Sequence, residues 1–458
     1  MYQIDFKIPI HIYFIGIGGI SMSGLAQILL QEGFQISGSD ATHSDLTNVL
    51  EAKGATIYYG QLESMIPENI DLIVYTAAIK EDNPDMIEVA SRKLPILTRA
   101  QLLGQIMKNY ELPVAVSGTH GKTTTTSMIS EILLEANLDP TLSIGGILKE
   151  INGNIRVGGQ KYFITEACEY TDSFLSFSPK IGVILNIEED HLDYFKDISQ
   201  IRDSFHKFAK LLPTDGCLII NGKIDHYEEL TKDLPCKIIT FGDSNCNFTS
   251  SDITYDSLAR PTFTLFEDGV NKGPITLSVP GNHNISNALA AIATASYLRI
   301  PFSSVLSSLK KFSGSDRRFE YKGELGGVKI IDDYAHHPTE ITATLEAIRN
   351  YPHREVWCVF QPHTYTRTKA FLKEFAVALS LADHVVLADI YAAREKNTIG
   401  ISSKDLMEEL HKLDVDCNYF TSFDEIENFL LAHCIHDDLL ITMGAGDVVK
   451  IGESLLGI

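Results

Sequence analysis

Cysteine is present but unorganised: the seven residues, at 168, 217, 236, 246, 358, 417 and 434, form no Cys-x-x-Cys pair. An odd and scattered set excludes a disulfide framework and a thiolate metal site, and it predicts a chain suited to the reducing cytoplasm. Positive charge is scarce as well, with 38 Lys and Arg against 60 Asp and Glu and a formal net charge of −22. No basic stripe offsets that surplus, so duplex nucleic acid is excluded as a partner. No run of 18 apolar residues occurs, which removes a membrane span. The first 20 residues lack a basic leader and are interrupted by His11, Gly16, Gly18 and Gly19, so no signal peptide is expected.

What is present is ample for folding. An apolar share of 44% and a charged share of 21% are those of a globular protein, and 458 residues exceed what one core accommodates. Roughly three domains are expected at about 150 residues each. Strand-like and helix-like runs alternate along the whole chain, the pattern of parallel sheets covered by helices, so the class is α/β. A first series starts with a strand at 10–17, a glycine turn and a helix at 20–31, and runs to a break at 109–113. A second starts with a strand at 113–117, another glycine turn and a Thr-rich helix from Lys122, and closes with an Ala-rich helix at 285–298. The polar stretch 313–318 separates it from a third series with strands at 328–333, 355–360, 384–389 and 439–442. The expected domains are 1–109, 110–315 and 316–458.

The strongest chemical signal is Gly118-Thr119-His120-Gly121-Lys122-Thr123, between a strand and a helix. Backbone N–H groups and the positive helix end cradle a polyphosphate in that setting, Lys122 supplies a point charge, and the Thr123 hydroxyl suits Mg²⁺. This is a shortened Walker A pattern and predicts ATP. Gly16-x-Gly18-Gly19 occupies the equivalent turn of the first series, with Asp40 24 residues after Gly16. The third glycine of a dinucleotide fingerprint is replaced by Ser21, so either NAD or another diphosphate fits the turn. Glu166 ends a strand, and Glu188, Glu189, Asp190 and His191 follow another, where hard oxygen ligands suit Mg²⁺ and a histidine extends the choice to Mn²⁺. Asn284 and Asn287 open the Ala-rich helix, where amides suit a purine base or serve as a cap. Arg317 and Arg318 stand in the second linker. Two polar strand ends, Asp332 to Pro338 and Gln361 to Arg367, converge on one crevice in the last series, where Arg367 is suited to grip a carboxylate.

The ordered set GIGGISMSG, SGSD, GTHGKTTTT, EACEY, NIEEDHLD, GNHNISNALAA, RRFE, DDYAHHPTE, QPHTYTRT and GAGD resembles the Mur ligase family of cell-wall synthesis, over residues from about 11 to about 447. The resemblance implies an N-terminal Rossmann-like domain, a central P-loop ATPase-type domain and a C-terminal Rossmann-like domain. It implies UDP-N-acetylmuramate, L-alanine and ATP as ligands, with Mg²⁺ or Mn²⁺, in a cytoplasmic monomer or homodimer. On this reading Gly16, Gly18, Gly19, Ser39 and Asp40 serve the UDP-sugar. Gly118, Thr119, His120, Gly121, Lys122, Thr123, Thr124, Asn284, Asn287, Arg318 and Asp333 serve ATP. Thr123, Glu166 and His191 hold metal, and His336, His363 and Arg367 line the amino-acid side. Lys122, His191 and Arg318 are the expected catalytic residues. Ser21, Cys168 and Thr364 depart from residues that some relatives carry. Two other readings stand beside this one: a ligase that attaches a preformed peptide to the same sugar, and an NAD-linked oxidoreductase built on Gly16 and Asp40.

Overall fold

The structure is a computed structural model that describes residues 3–60, 64–76, 79–80, 82–393 and 395–458. Met1 and Tyr2, which begin the N-terminal apolar stretch, lie outside them. Three sheets follow one another along the chain. The first is wholly parallel, with its strands in the spatial order Thr56–Tyr59, Gln35–Asp40, His11–Ile15, Leu72–Tyr75 and Ile96–Thr98. Strand order reverses beside His11–Ile15, and ligands of such sheets bind outside the carboxyl ends at that point. The glycine turn 16–19 is located there. The helix Ile20–Gln31 follows with the bounds expected from its apolar spacing.

The second sheet has ten strands. Its centre places Ile181–Ile184, Leu112–Ser117 and Tyr162–Glu166 side by side and parallel, so the phosphate loop and Glu166 leave adjacent strands on one edge. The parallel pattern expected throughout does not hold at the flanks. Phe248–Tyr255, Pro261–Glu267 and Val270–Thr276 form antiparallel hairpins, and Gly153–Arg156 pairs antiparallel with Thr141–Leu148. The third sheet is parallel from Val328–Asp333 through Leu439–Met443, Val356–Phe360 and His384–Leu387 to Asp416–Tyr419, with Glu320–Leu325 added antiparallel at one edge.

One apolar cluster joins the first sheet's layer to the second. Leu102, Leu103 and Ile106 pack with Phe174, Phe205 and Phe208, all nearly inaccessible. The third sheet has its own clusters, built on residues such as Phe360, Phe375 and Ile441.

Behind the phosphate loop, the helix Lys122–Glu135 carries a misfit. Glu131 is 5% exposed, its Oε1 has no hydrogen-bond partner among the described residues, and burial together with the neighbouring Glu150 pushes its carboxyl up to about 9. The folded state therefore binds a proton that the unfolded chain releases near the ordinary carboxyl range. Stability is full below that range and falls as pH rises towards about 9, by at most about 1.4 kcal/mol per pH unit. Glu131→Gln is expected to flatten this decline, measured as urea unfolding free energy between pH 5 and 8.5. An unchanged slope would refute the retained proton on Glu131.

Candidate functional site

Strand Leu112–Ser117 ends in a loop that needs two glycines in the left-handed region, Gly118 at φ +144 and Gly121 at φ +80. Gly121 is also sterically confined, since a Cβ there would lie 2.5 Å from Asn287 Oδ1. The helix beginning at Lys122 has no side-chain cap, in contrast to the helix Asp45–Ala52, capped by Ser44, and the helix Ile198–Ala209, capped by Asp197. Its first N–H groups are open to an anion. The Asn186 side chain pins the loop, accepting from His120 N–H at 2.8 Å and donating to the His120 carbonyl at 3.1 Å. Lys122 Nζ donates to the Gly118 and Thr119 carbonyls at 2.5 and 3.1 Å and lies 3.1 Å from Glu169 Oε2. Burial alone would lower the Lys122 pKa; Glu169 outweighs it and holds the ammonium charged.

Acidic groups gather in front of this loop. Glu166 accepts from Thr123 Oγ1 at 3.1 Å and from Gly145 N–H at 2.6 Å. His191, at φ +52, places Nε2 3.9 Å from Glu169 and 3.8 Å from Asp190. Burial draws the imidazole pKa down against these two carboxylates, which favours the neutral ring a metal requires. Thr123, Glu166 and His191 line one cavity of about 560 Å³ together with Lys122, Arg318 and His336. Three carboxylates, a hydroxyl and one imidazole fit a hard divalent cation such as Mg²⁺ or Mn²⁺. Glu169 was missed by the sequence reading, although its place three residues after Glu166 in EACEY was a signal.

A second cavity of about 240 Å³ lies on the other side of the loop and is lined by His120, Thr124, His283, Asn284, Asn287 and Asp333, among others. Burial lowers His283 to about 4 and raises Asp333 to about 6. One Asp333 oxygen accepts from Ala335 N–H at 2.9 Å and the other from Thr344 Oγ1 at 2.8 Å. Asn287 Nδ2 donates to Asn284 Oδ1 at 3.0 Å, while Asn284 Nδ2 donates to the Pro280 carbonyl at 2.7 Å. These amides are thus already linked to each other and to the loop, and Asn287 buttresses Gly121.

The C-terminal segment closes over the central one through charge. His120 Nδ1 donates to Glu340 Oε1 at 3.1 Å, and its Nε2 lies 3.4 Å from Glu188. Burial would lower this histidine, but Glu188 and Glu340 outweigh it and raise it to about 9. Thr339 Oγ1 donates to Glu188 at 2.6 Å, and His337 Nε2 donates to the Glu189 carbonyl at 3.1 Å. Arg367 donates through Nε and Nη2 to Asp190 Oδ1 at 3.0 and 2.7 Å, and through Nη1 to His363 Nδ1 at 3.0 Å. Three of its five N–H donors are engaged there, which leaves two for a ligand carboxylate. His336 is drawn down to about 3, chiefly by burial, and stays neutral. Thr364 sits at φ 64 and ψ 146, a conformation a β-branched residue rarely adopts. Glu188 was read from the sequence as a candidate metal ligand and instead joins this clasp, and Glu340, equally central to it, was not among the predicted site residues.

Arg318 lies 4.0 Å from Glu340 and 5.1 Å from the Tyr334 ring, and it lines both cavities. Arg317, the other linker arginine, is held in place. It donates to Asp332 at 3.0 Å and to the Gly444 and Gly446 carbonyls at 2.8 and 3.1 Å, which ties the turn of the GAGD motif to the linker.

The N-terminal turn differs most from expectation. Gly16 and Ile17 N–H donate to the Ser39 carbonyl at 2.9 and 3.1 Å, and Gly18 N–H donates to Asp40 Oδ2 at 2.7 Å. The Ser39 hydroxyl donates to buried Asp85 at 2.5 Å. Ser39 therefore turns its side chain inward, and Asp40 occupies the Gly18 amide, because Asp85 and the close turn satisfy them within the sheet. The open donors begin later, at the uncapped start of the helix Ile20–Gln31 next to Gly19.

Three family patterns cover this architecture in order: the Mur ligase family catalytic domain over residues 11–111, the Mur ligase middle domain over 116–295, and the Mur ligase glutamate ligase domain over 317–446. The chain belongs to the Mur ligase family. Among relatives of this Mur ligase, the UDP-N-acetylmuramate–L-alanine ligase of Agathobacter rectalis is 61% identical and that of Lachnospira eligens 57% identical, each over 100% of both chains. The solved UDP-N-acetylmuramate–alanine ligase of Thermotoga maritima is 28% identical, covers 98% of both chains and superposes with a TM-score of 0.81.

Proposed function

We infer that this Mur ligase joins L-alanine to the carboxylate of UDP-N-acetylmuramate at the expense of ATP, in the synthesis of peptidoglycan precursors. The observation that carries the reading is the single cavity onto which Lys122, Arg318 and neutral His336 all open, between the second and third sheets. The sheets are read as three domains, 1–109, 110–315 and 316–458, for sugar nucleotide, ATP and amino acid. The seven free cysteines suit a cytoplasmic location.

A carboxylate is a poor electrophile. In the proposed reaction it attacks the γ-phosphoryl group of ATP, giving an acyl phosphate and ADP. The neutral alanine amine then attacks the acyl carbon, the C–O bond to phosphate breaks, and the amine proton leaves with the departing phosphate. Lys122 and the open helix start hold the polyphosphate in line, and Arg318 bears on the oxygens that gain charge. A divalent cation held by Thr123, Glu166 and His191 would offset charge on the same oxygens. His336, being neutral, adds no positive charge against the incoming amine, while the free N–H donors of Arg367 receive its carboxylate. The clasp of His120, Glu340 and Arg367 excludes water, which would otherwise hydrolyse the acyl phosphate.

The test is an isotope experiment. Oxygen label in the muramyl carboxylate is expected to appear in released phosphate; full retention in the amide product would end the acyl-phosphate route. ADP release with alanine, against release with a preformed tripeptide only, separates this reading from a peptide ligase.

A further inference from the structure

Arg99 is the first residue of the helix Arg99–Met107, which begins where the strand Ile96–Thr98 ends. It stands on the carboxyl edge of the first sheet, the edge that also carries the turn 16–19 and Asp40. The same helix packs on the segment Tyr170–Ser176 so tightly that a Cβ on Gly104 would collide with the Ser176 carbonyl. That segment follows Cys168 and Glu169, just beyond the carboxyl end of strand Tyr162–Glu166. Arg99 therefore occupies the seam where the carboxyl edges of the first two sheets meet. Leu102, Leu103 and Ile106 share one buried apolar cluster with Phe174 and Phe205 across this seam.

The Arg99 guanidinium is half-buried and, among the described residues, has no carboxylate or hydrogen-bond partner. Arg317, Arg318 and Arg367, the other arginines of this region, each have a carboxylate. Two acids beside the seam are engaged elsewhere, Glu169 with Lys122 and Glu166 with Thr123 and Gly145. Cys168, which faces Arg99, does not neutralise it, because burial and Glu169 push the thiol up to about 11. Leaving a cation desolvated without an anion is unfavourable, and such a group is stabilised when a ligand brings the anion.

We propose that Arg99 binds the carboxylate of the UDP-linked sugar acid and presents it to the phosphate loop. The proposal rests on the reading of function given above. A nucleotide held at the turn 16–19 must extend across the seam for its acid group to meet a phosphate beside Lys122. The guanidinium fork lies on that route and matches a carboxylate with two parallel N–H donors. Arg99 is thus a substrate-binding residue contributed by the first domain to chemistry performed on the second.

The experiment compares UDP-N-acetylmuramate with UDP-N-acetylglucosamine, which lacks the acid arm, by calorimetric titration of the full chain without ATP. The wild-type chain is expected to prefer the acid by about 10- to 100-fold. Arg99→Met should lose that preference while keeping its affinity for UDP-N-acetylglucosamine within about twofold, and Arg99→Lys should recover part of it. Retained affinity for the neutral sugar also reports that the variant is folded; if Arg99→Met does not fold, Arg99→Gln serves in its place. Preference unchanged in the variants, or affinity for both sugars lost in parallel, would overturn the role of Arg99. A wild-type chain that forms no amide from alanine defeats the assigned function instead, so the two failures are distinct.

Discussion

Replacing Lys122 by alanine is expected to lower the rate of amide formation by about 10²- to 10³-fold and to leave UDP-sugar affinity within about twofold. The reason is spatial. Lys122 belongs to the phosphate loop of the central sheet, whereas the glycine turn 16–19, to which we assign the sugar nucleotide, stands on another sheet. The ammonium also has a resident partner: Glu169, whose side chain is 3% exposed, lies 3.1 Å away. Removal of the lysine leaves a buried carboxylate unpaired, a loss of about 3 to 5 kcal/mol in stability. The double variant Lys122→Ala, Glu169→Gln should regain much of that stability and none of the activity. Chemical denaturation and single-turnover ADP formation measure the two effects separately. Intact turnover in Lys122→Ala, or sugar affinity that falls with it, would remove the lysine from its assigned place.

Arg367→Ala should raise the KM for alanine by about 10²-fold or more and reduce kcat as well. Arg367 and Asp190 form an ion pair between the central and C-terminal segments, with side chains 9% and 8% exposed. Burial would raise the Asp190 carboxyl; Arg367 and then His191 outweigh it and hold the group well below the ordinary range. Stability from this pair is therefore present above the unfolded carboxyl pKa and is lost only as pH falls towards the depressed folded value. Without the guanidinium, burial acts with less opposition and the Asp190 pKa rises. The acid limb of the pH–rate profile should move to higher pH in Arg367→Ala, with a smaller shift in Arg367→Lys, which keeps the charge and loses the fork. An acid limb that stays in place in both variants would show that Asp190 does not depend on Arg367.

Much of the frame was legible in the chain because it is local. The helices beginning at Ile20 and Lys122, and the strands Tyr162–Glu166 and Val328–Asp333, have the bounds expected from apolar spacing and glycine turns. The antiparallel extension 248–276 was not read, although Phe263, Leu265 and Ile275 alternate between buried and half-buried or exposed neighbours. The Asp268-Gly269 turn between its last two strands, both residues at positive φ, was a hairpin signal that the reading passed over. Ser39 shows the opposite failing: its motif placed it at a ligand, and Asp85, 46 residues later, turned it inward.

Sequence was sufficient for the phosphate chemistry, since a tight turn into an uncapped helix with Lys and Thr at its start requires particular residues at fixed short spacing. It was also sufficient for the α/β class, which periodicity alone expresses. Which acid meets which cation became visible only in the folded chain: Glu169 on Lys122, Asp190 on Arg367, Glu340 on His120 and, among the described residues, none on Arg99. Coulomb and desolvation energies depend on separation in space and on burial, and both are set by strand order and by the meeting of sheet edges. Residues 47 to 220 positions apart along the chain become hydrogen-bonding neighbours in this way, and no local pattern records it.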